Sequence, residues 1–200
     1  MVDPDFLSAL GERLFVMYLG GRWIAPLSER LIPAPGLPAA RLACAGRQDV
    51  ARAGLVAEPI DAGALRRAYD GRAAALRGLR DFEGVADPVA EPEPWQIAGE
   101  GPLVLLSARD VPLARIAGLL LAGAPRGLLW KPAPGAAASA HVLMRALSPV
   151  AGRRLALVQG DHATGALAAG QGTTLWVSDA PPPPDLAISA RIPATGPRRR

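Results

Sequence analysis

The sequence predicts an α/β protein, a Rossmann-like parallel sheet with flanking helices, preceded by an N-terminal β-hairpin and helices. Three observations predict it. From residue 101 onward, short continuous apolar runs alternate with helical patterns, as strands buried on both faces do when joined by crossover helices. Earlier in the chain the pair Gly20-Gly21 separates two strand-like segments and supplies the positive φ of a tight turn. Half of the 200 residues are apolar and only 4% are aromatic, enough for one domain whose core is built from Leu, Val and Ala.

The elements follow in order. Residues 3 to 13 predict a short helix, with Asp3 as N-cap and Pro4 at the first helical position. Leu14 to Leu19 and Arg22 to Ile24 predict the hairpin, and the proline-rich stretch to Pro38 predicts irregular chain. Arg47 to Val56 and Ala62 to Phe82 carry apolar residues at helical period, the second with Leu65, Tyr69, Leu76 and Leu79. Residues 83 to 100 hold three prolines and five Asp or Glu, which predicts a connector.

Leu103 to Leu106, Gly127 to Trp130, Leu155 to Val158 and Thr174 to Val177 predict four buried parallel strands. The helices between them are Val111 to Ala122, Ala136 to Leu147 and Thr164 to Ala169. The run Pro181 to Pro184 excludes helix and central strand, and Leu186 to Ser189 is a further candidate strand. The expected organisation is one structural domain: residues 1–100 packing on an α/β core at 101–180, then a Pro-rich and basic tail at 181–200.

The formal charge of +4 includes the terminal Arg198-Arg199-Arg200, and basic residues elsewhere do not cluster with aromatics, so nucleic acid is not expected as a partner. The longest apolar stretch, Ile116 to Ala124, is too short to cross a bilayer, so no membrane is expected. Cys44 is the only cysteine and the N-terminus lacks a basic-then-apolar pattern, which sets a reducing, cytoplasmic location as the expectation. Cys44 itself reads as a small apolar filler, and His141 has no Cys or carboxylate at ligand spacing, so no metal site is expected. Asp161-His162 reads as loop chemistry rather than an acid–base pair.

Lys131 is the only lysine, against 21 arginines, and it follows the apolar run Gly127-Leu-Leu-Trp130. A compact, rotatable ammonium is a different tool from a guanidinium. In a parallel α/β sheet a ligand lies outside the carboxyl ends of the strands, which is where Lys131 stands.

The landmarks, in order, resemble the cofactor-binding half of the aldehyde dehydrogenase superfamily. Leu19-Gly-Gly-Arg-Trp23 is similar to the family's "INGEW" strand pair, and Arg47-Gln-Asp-Val50 to the start of its "DVDRAV" helix. Ser107-Ala-Arg-Asp-Val-Pro-Leu113 falls at "SPWNFPL", Ala122-Gly123 at "LAAGN", and Trp130-Lys-Pro132 at "VKPS". Leu157-Val-Gln-Gly160, followed by Ala163-Thr-Gly-Ala-Leu167, resembles the next strand and helix. The resemblance implies NAD or NADP as cofactor, with Lys131 on the adenosine ribose or its 2′-phosphate and Gly160 allowing close packing of the adenine. Ser107, Lys131, Gly160, Thr164 and Gly165 are then the implied cofactor-binding residues.

The same resemblance implies losses. The family's nucleophilic cysteine lies in a second domain that this chain does not reach, and Asp110 stands where the family has its oxyanion asparagine; an ionised carboxylate accepts hydrogen bonds and donates none. "KPSE" becomes Lys131-Pro-Ala-Pro134, and "FTGS" becomes Trp176-Val-Ser-Asp179, setting a carboxylate where a pyrophosphate would lie. The implied affinity for NAD or NADP is weak, with no catalytic residue and no metal. The expected function is that of a truncated, aldehyde-dehydrogenase-like protein lacking the catalytic domain, a non-catalytic binding or assembly module. The alternative is the NAD(P)-binding subunit of a split aldehyde dehydrogenase completed by a partner chain. A homo-oligomer or a full-length aldehyde dehydrogenase is the expected partner, because the surface a second domain would cover should be apolar.

Overall fold

The computed structural model describes residues 14–35 and 37–194; the helix expected over residues 3 to 13 and the arginine tail lie outside them. Strands β1 (Leu14–Phe15), β2 (Met17–Leu19) and β3 (Arg22–Ile24) open the chain, followed by β4 (Leu31–Ala34) and β5 (Leu37–Ala43). The hairpin β2–β3 pairs Tyr18 with Trp23 across Gly20 and Gly21, at φ +57° and +80°, a turn that side chains with a Cβ disfavour. β1 instead joins a small sheet of order β1-β5-β4.

That small sheet corrects the expected irregular stretch before Pro38. Its outer strand β4 carries Pro33, whose missing N–H is tolerated at an edge, and the register shifts beside it at Pro33/Ala34. The period-2 signal was interrupted by proline at the positions that an edge strand can spare.

Helices α1 (Arg47–Ala51), α2 (Ala62–Asp70) and α3 (Ala73–Phe82) come next. α1 ends five residues sooner than expected. α2 starts at Asp61, whose carboxylate accepts the Ala64 N–H at 2.9 Å, and the single helix expected over Ala62 to Phe82 breaks at Gly71 and Arg72. Residues 83 to 100 contain no helix or strand, as expected of a connector.

The core then alternates: β6 (Leu103–Ser107), α4 (Leu113–Gly123), β7 (Leu128–Pro132), α5 (Ala137–Ala151), β8 (Leu155–Leu157), α6 (His162–Ala169), β9 (Thr173–Val177) and β10 (Ala190–Ile192). α5 runs past Pro149. The carbonyl that Pro149 cannot engage, on Arg145, receives the Ser148 hydroxyl at 3.4 Å instead. The last strand lies at Ala190–Ile192 rather than at Leu186 to Ser189.

The main sheet has the order β10-β9-β6-β7-β8-β2-β3, parallel from β10 to β8 and antiparallel at β2 and β3. The chain runs outward through β6, β7 and β8, then crosses back to β9 on the other side of β6. Alternate residues of each strand feed two cores. Leu103, Leu105, Leu128, Trp130 and Leu157 pack with α2 to α5, while Val104, Leu106, Leu129 and Val158 pack with α1 and α6. This is a Rossmann-like α/β fold, as the alternation predicted.

A buried ion cluster fixes the loop after β6. Arg80 on α3 contacts Glu83 at 3.0 Å and Asp87 at 3.4 Å, and its Nη2 donates to the carbonyls of Arg109 and Val111. Asp87 in turn accepts the Leu113 N–H at 2.7 Å at the start of α4, and Glu83 accepts the Ser139 N–H at 2.9 Å in the first turn of α5. Burial pushes the Glu83 carboxyl up, against these bonds.

Candidate functional site

The carboxyl edge of the parallel strands brings the implied residues to one rim, but it engages most of them internally. Ser107 ends β6 and is buried; its hydroxyl accepts the Trp130 indole N–H from β7 at 3.0 Å. Thr164, in the first turn of α6, is 1% exposed and donates its hydroxyl to the Ala45 carbonyl at 3.0 Å. The same side chain fills the space above Gly160. A Cβ built on Gly160, at φ +144°, would lie 2.2 Å from Thr164 Oγ1. Gly165, one residue further along α6, has nothing within 4 Å of such a Cβ.

Lys131 differs from the others. It sits on the β7 face that packs toward α1 and α6, with Leu106 beside it in register, and it is 7% exposed. Among the described residues its ammonium makes no hydrogen bond or ion pair. Burial pushes its ammonium down to about 8, while attraction from Asp161 and the Cys44 thiol acts the other way.

Those neighbours come from distant elements. Asp161, at the end of the loop from β8, caps α6 through the Thr164 N–H at 3.3 Å and pairs with Arg30 Nη2 at 2.5 Å. Burial raises its carboxyl, but the Arg30 and backbone bonds outweigh that and hold it below the usual carboxylate range. Cys44 follows β5, is 1% exposed, and its backbone N–H donates to the Arg30 carbonyl at 2.9 Å. The next residue, Ala45, donates to the Gln159 carbonyl at 2.9 Å, which ties the Cys44 segment to the end of β8. The sequence placed Asp161 in a loop before a helix expected from Thr164, and nothing in it placed Arg30 or Cys44 against Lys131.

The two acidic replacements, Asp110 and Asp179, are exposed on loops beyond β6 and β9. Asp161 and His162 do not pair with each other; His162 Nε2 meets Asp185 Oδ2 at 2.8 Å, and that bond holds the Asp185 carboxyl below its usual range. His141 is a packed histidine, with ring centroids 4.7 Å from Trp23 and 5.5 Å from Phe15. Among the described residues no group of three or more His, Cys, Asp or Glu is placed to hold a metal ion, and no helix is long and apolar enough to cross a membrane. A cleft of about 300 Å³ lies at the opposite, amino edge of the sheet, lined by Val50, Ala53, Leu55, Leu103, Leu129 and Arg126, and includes none of the implied residues.

No family model and no curated protein matches the sequence. Solved structures do match the fold. Aldehyde dehydrogenase C of Pseudomonas syringae, solved as a mutant with NAD+ and octanal, is 18% identical over 88% of this chain and 46% of its own, with a TM-score of 0.64. The 1-pyrroline-5-carboxylate dehydrogenase of Thermus thermophilus is 15% identical over 86% and 46%, with a TM-score of 0.65. An aldehyde dehydrogenase of Bacillus cereus in an NAD+ complex is 11% identical over 89% and 48%, with a TM-score of 0.63. The chain thus shares its fold with part of these enzymes and spans about half their length.

Proposed function

We propose that this α/β domain is an aldehyde-dehydrogenase relative that serves as a non-catalytic binding or assembly module. The carrying observation is the internal use of the rim: Ser107 is engaged by Trp130, and Thr164 both bonds Ala45 and covers Gly160. A ribose or adenine at that edge would have to displace contacts that the protein makes to itself, and a polar group already bonded gains little by changing partner. Asp110 offers no oxyanion donor, and Cys44 is buried inside the fold. As an assembly module the domain pairs with itself or with a full-length aldehyde dehydrogenase, and Leu27, Leu31 and Phe82 are large apolar side chains it leaves exposed. The test is aldehyde oxidation: purified protein given NAD or NADP and an aliphatic aldehyde should produce no reduced cofactor, and steady turnover would overturn the reading.

One observation favours a second reading, an NAD(P)-binding contribution to an enzyme completed by another chain. Lys131 has no bonding partner among the described residues, and two of the fold neighbours were solved with NAD+. Saturable binding of NAD or NADP lost in Lys131→Met would favour this reading over the first.

A further inference from the structure

We propose that Lys131 is a nucleophilic amine that captures a small uncharged aldehyde or ketone as an imine. The proposal goes beyond the module reading and does not depend on it. Four features of the molecule support it, beginning with burial: the residue is 7% exposed, and its ammonium makes no hydrogen bond or ion pair among the described residues. An ammonium that has lost most of its water without gaining such a partner is costly, and the cost falls away when the nitrogen is neutral.

The one carboxylate near it is already engaged. Asp161 is held by Arg30 and by the Thr164 N–H, so its charge attracts Lys131 without bonding it. The other group whose charge state acts on Lys131 is Cys44. Neither supplies a donor set for an anion, whereas Leu106 and Val158 on the same sheet face give an apolar flank. That surrounding suits a small neutral carbonyl compound better than a phosphate or carboxylate.

The position is also stiff. Lys131 belongs to β7, in register with Leu106 of β6, and the Val158 N–H bonds the carbonyl of Trp130 at 3.0 Å. The backbone that carries the amine is thus held between two parallel neighbours. With burial lowering the ammonium to about 8, roughly half of the side chains carry a free lone pair at pH 8, against well under 1% for an ordinary lysine.

The step balances without a further reagent. The ammonium gives one proton to solvent, the nitrogen lone pair attacks the carbonyl carbon, and the carbonyl oxygen takes a proton to give a carbinolamine. That hydroxyl leaves as water while the nitrogen loses its remaining proton, and a C=N bond forms. Water reverses the sequence. Arginine at this position could not do this, since its guanidinium keeps its proton.

A single lysine makes the test direct, because the N-terminal amine is the other primary amine. Folded protein at pH 8 is incubated with propanal and cyanoborohydride, with no NAD present, and adducts are located by peptide mass mapping. Lys131 should be alkylated at least about tenfold faster in the folded chain than in urea, with a rate that saturates in propanal. Lys131→Arg, with folding checked by circular dichroism, should leave the N-terminal amine as the labelled site. Labelling of Lys131 no faster than in urea, or a rate linear in propanal throughout, would overturn the proposal. The folded-against-urea comparison stands on the unaltered chain even if the variant fails to fold. Failure here leaves the module reading intact, since that rests on aldehyde oxidation and cofactor binding.

Discussion

The Thr164 side chain stands directly over Gly160, so close that a Cβ on the glycine would lie 2.2 Å from the Thr164 hydroxyl oxygen and 2.7 Å from its Cβ. The close approach that Gly160 permits is taken up by the first turn of α6.

Gly160→Ala should therefore destabilise the domain, by about 2 kcal/mol or more, from steric overlap and from a backbone at φ +144° that a side chain disfavours. Gly165→Ala, inside α6 with open space around it, should be neutral or stabilising by about 0.5–1 kcal/mol. Urea melts of the two variants give the comparison.

Lys131→Met should stabilise the protein at pH 7. The folded-state ammonium is lowered to about 8 while the unfolded one titrates near 10.5, so the folded state holds fewer protons between those values and stability rises with pH across that window. Below pH 8 the full cost of the buried charge is present, on the order of 3 kcal/mol at about 1.4 kcal/mol per unit. Chemical denaturation at pH 7 and at pH 10 should show the rise in the unaltered protein and its loss in the variant.

Arg80→Leu should be severely destabilising, by about 3–5 kcal/mol, because it leaves Glu83 and Asp87 buried without their counter-charge and frees the carbonyls of Arg109 and Val111. Replacing Arg80, Glu83 and Asp87 together by apolar residues should recover part of that loss. Thermal unfolding of the single and triple variants measures both.

Gly118→Ala should loosen the connector. The added methyl would meet the Glu93 carbonyl oxygen, and the Glu93 N–H bonds the Ala114 carbonyl at 3.0 Å in the same contact. Overlap of this kind costs about 1–3 kcal/mol, and limited proteolysis should show earlier cleavage within residues 83 to 100.

The alternation of buried strands and helices was legible from residue 101 onward because both periods were clean there. Leu103 to Leu106 and Leu155 to Val158 are short apolar runs set between glycines, prolines and helical runs, and β6 and β8 form there. The β4–β5 hairpin was hidden because Pro33 is allowed only by its edge position, which depends on tertiary pairing. α5 overran its expected end because Ser148 replaces a bond that Pro149 removes, a substitution no propensity rule anticipates. Lys131 was singled out by place and type and Thr164 by the resemblance, yet the carbonyl that Thr164 bonds, on Ala45, lies 119 residues away. Local pattern locates a rim, and long-range packing decides whether it is open.

In the proposed module the carboxyl rim is taken up by the protein's own contacts, at Ser107, Gly160 and Thr164, rather than by a nicotinamide cofactor. Calorimetric titration of the folded protein with NAD and with NADP, up to millimolar concentration, tests it most directly. No saturable heat is expected with either. Saturable binding that disappears in Lys131→Met would contradict it.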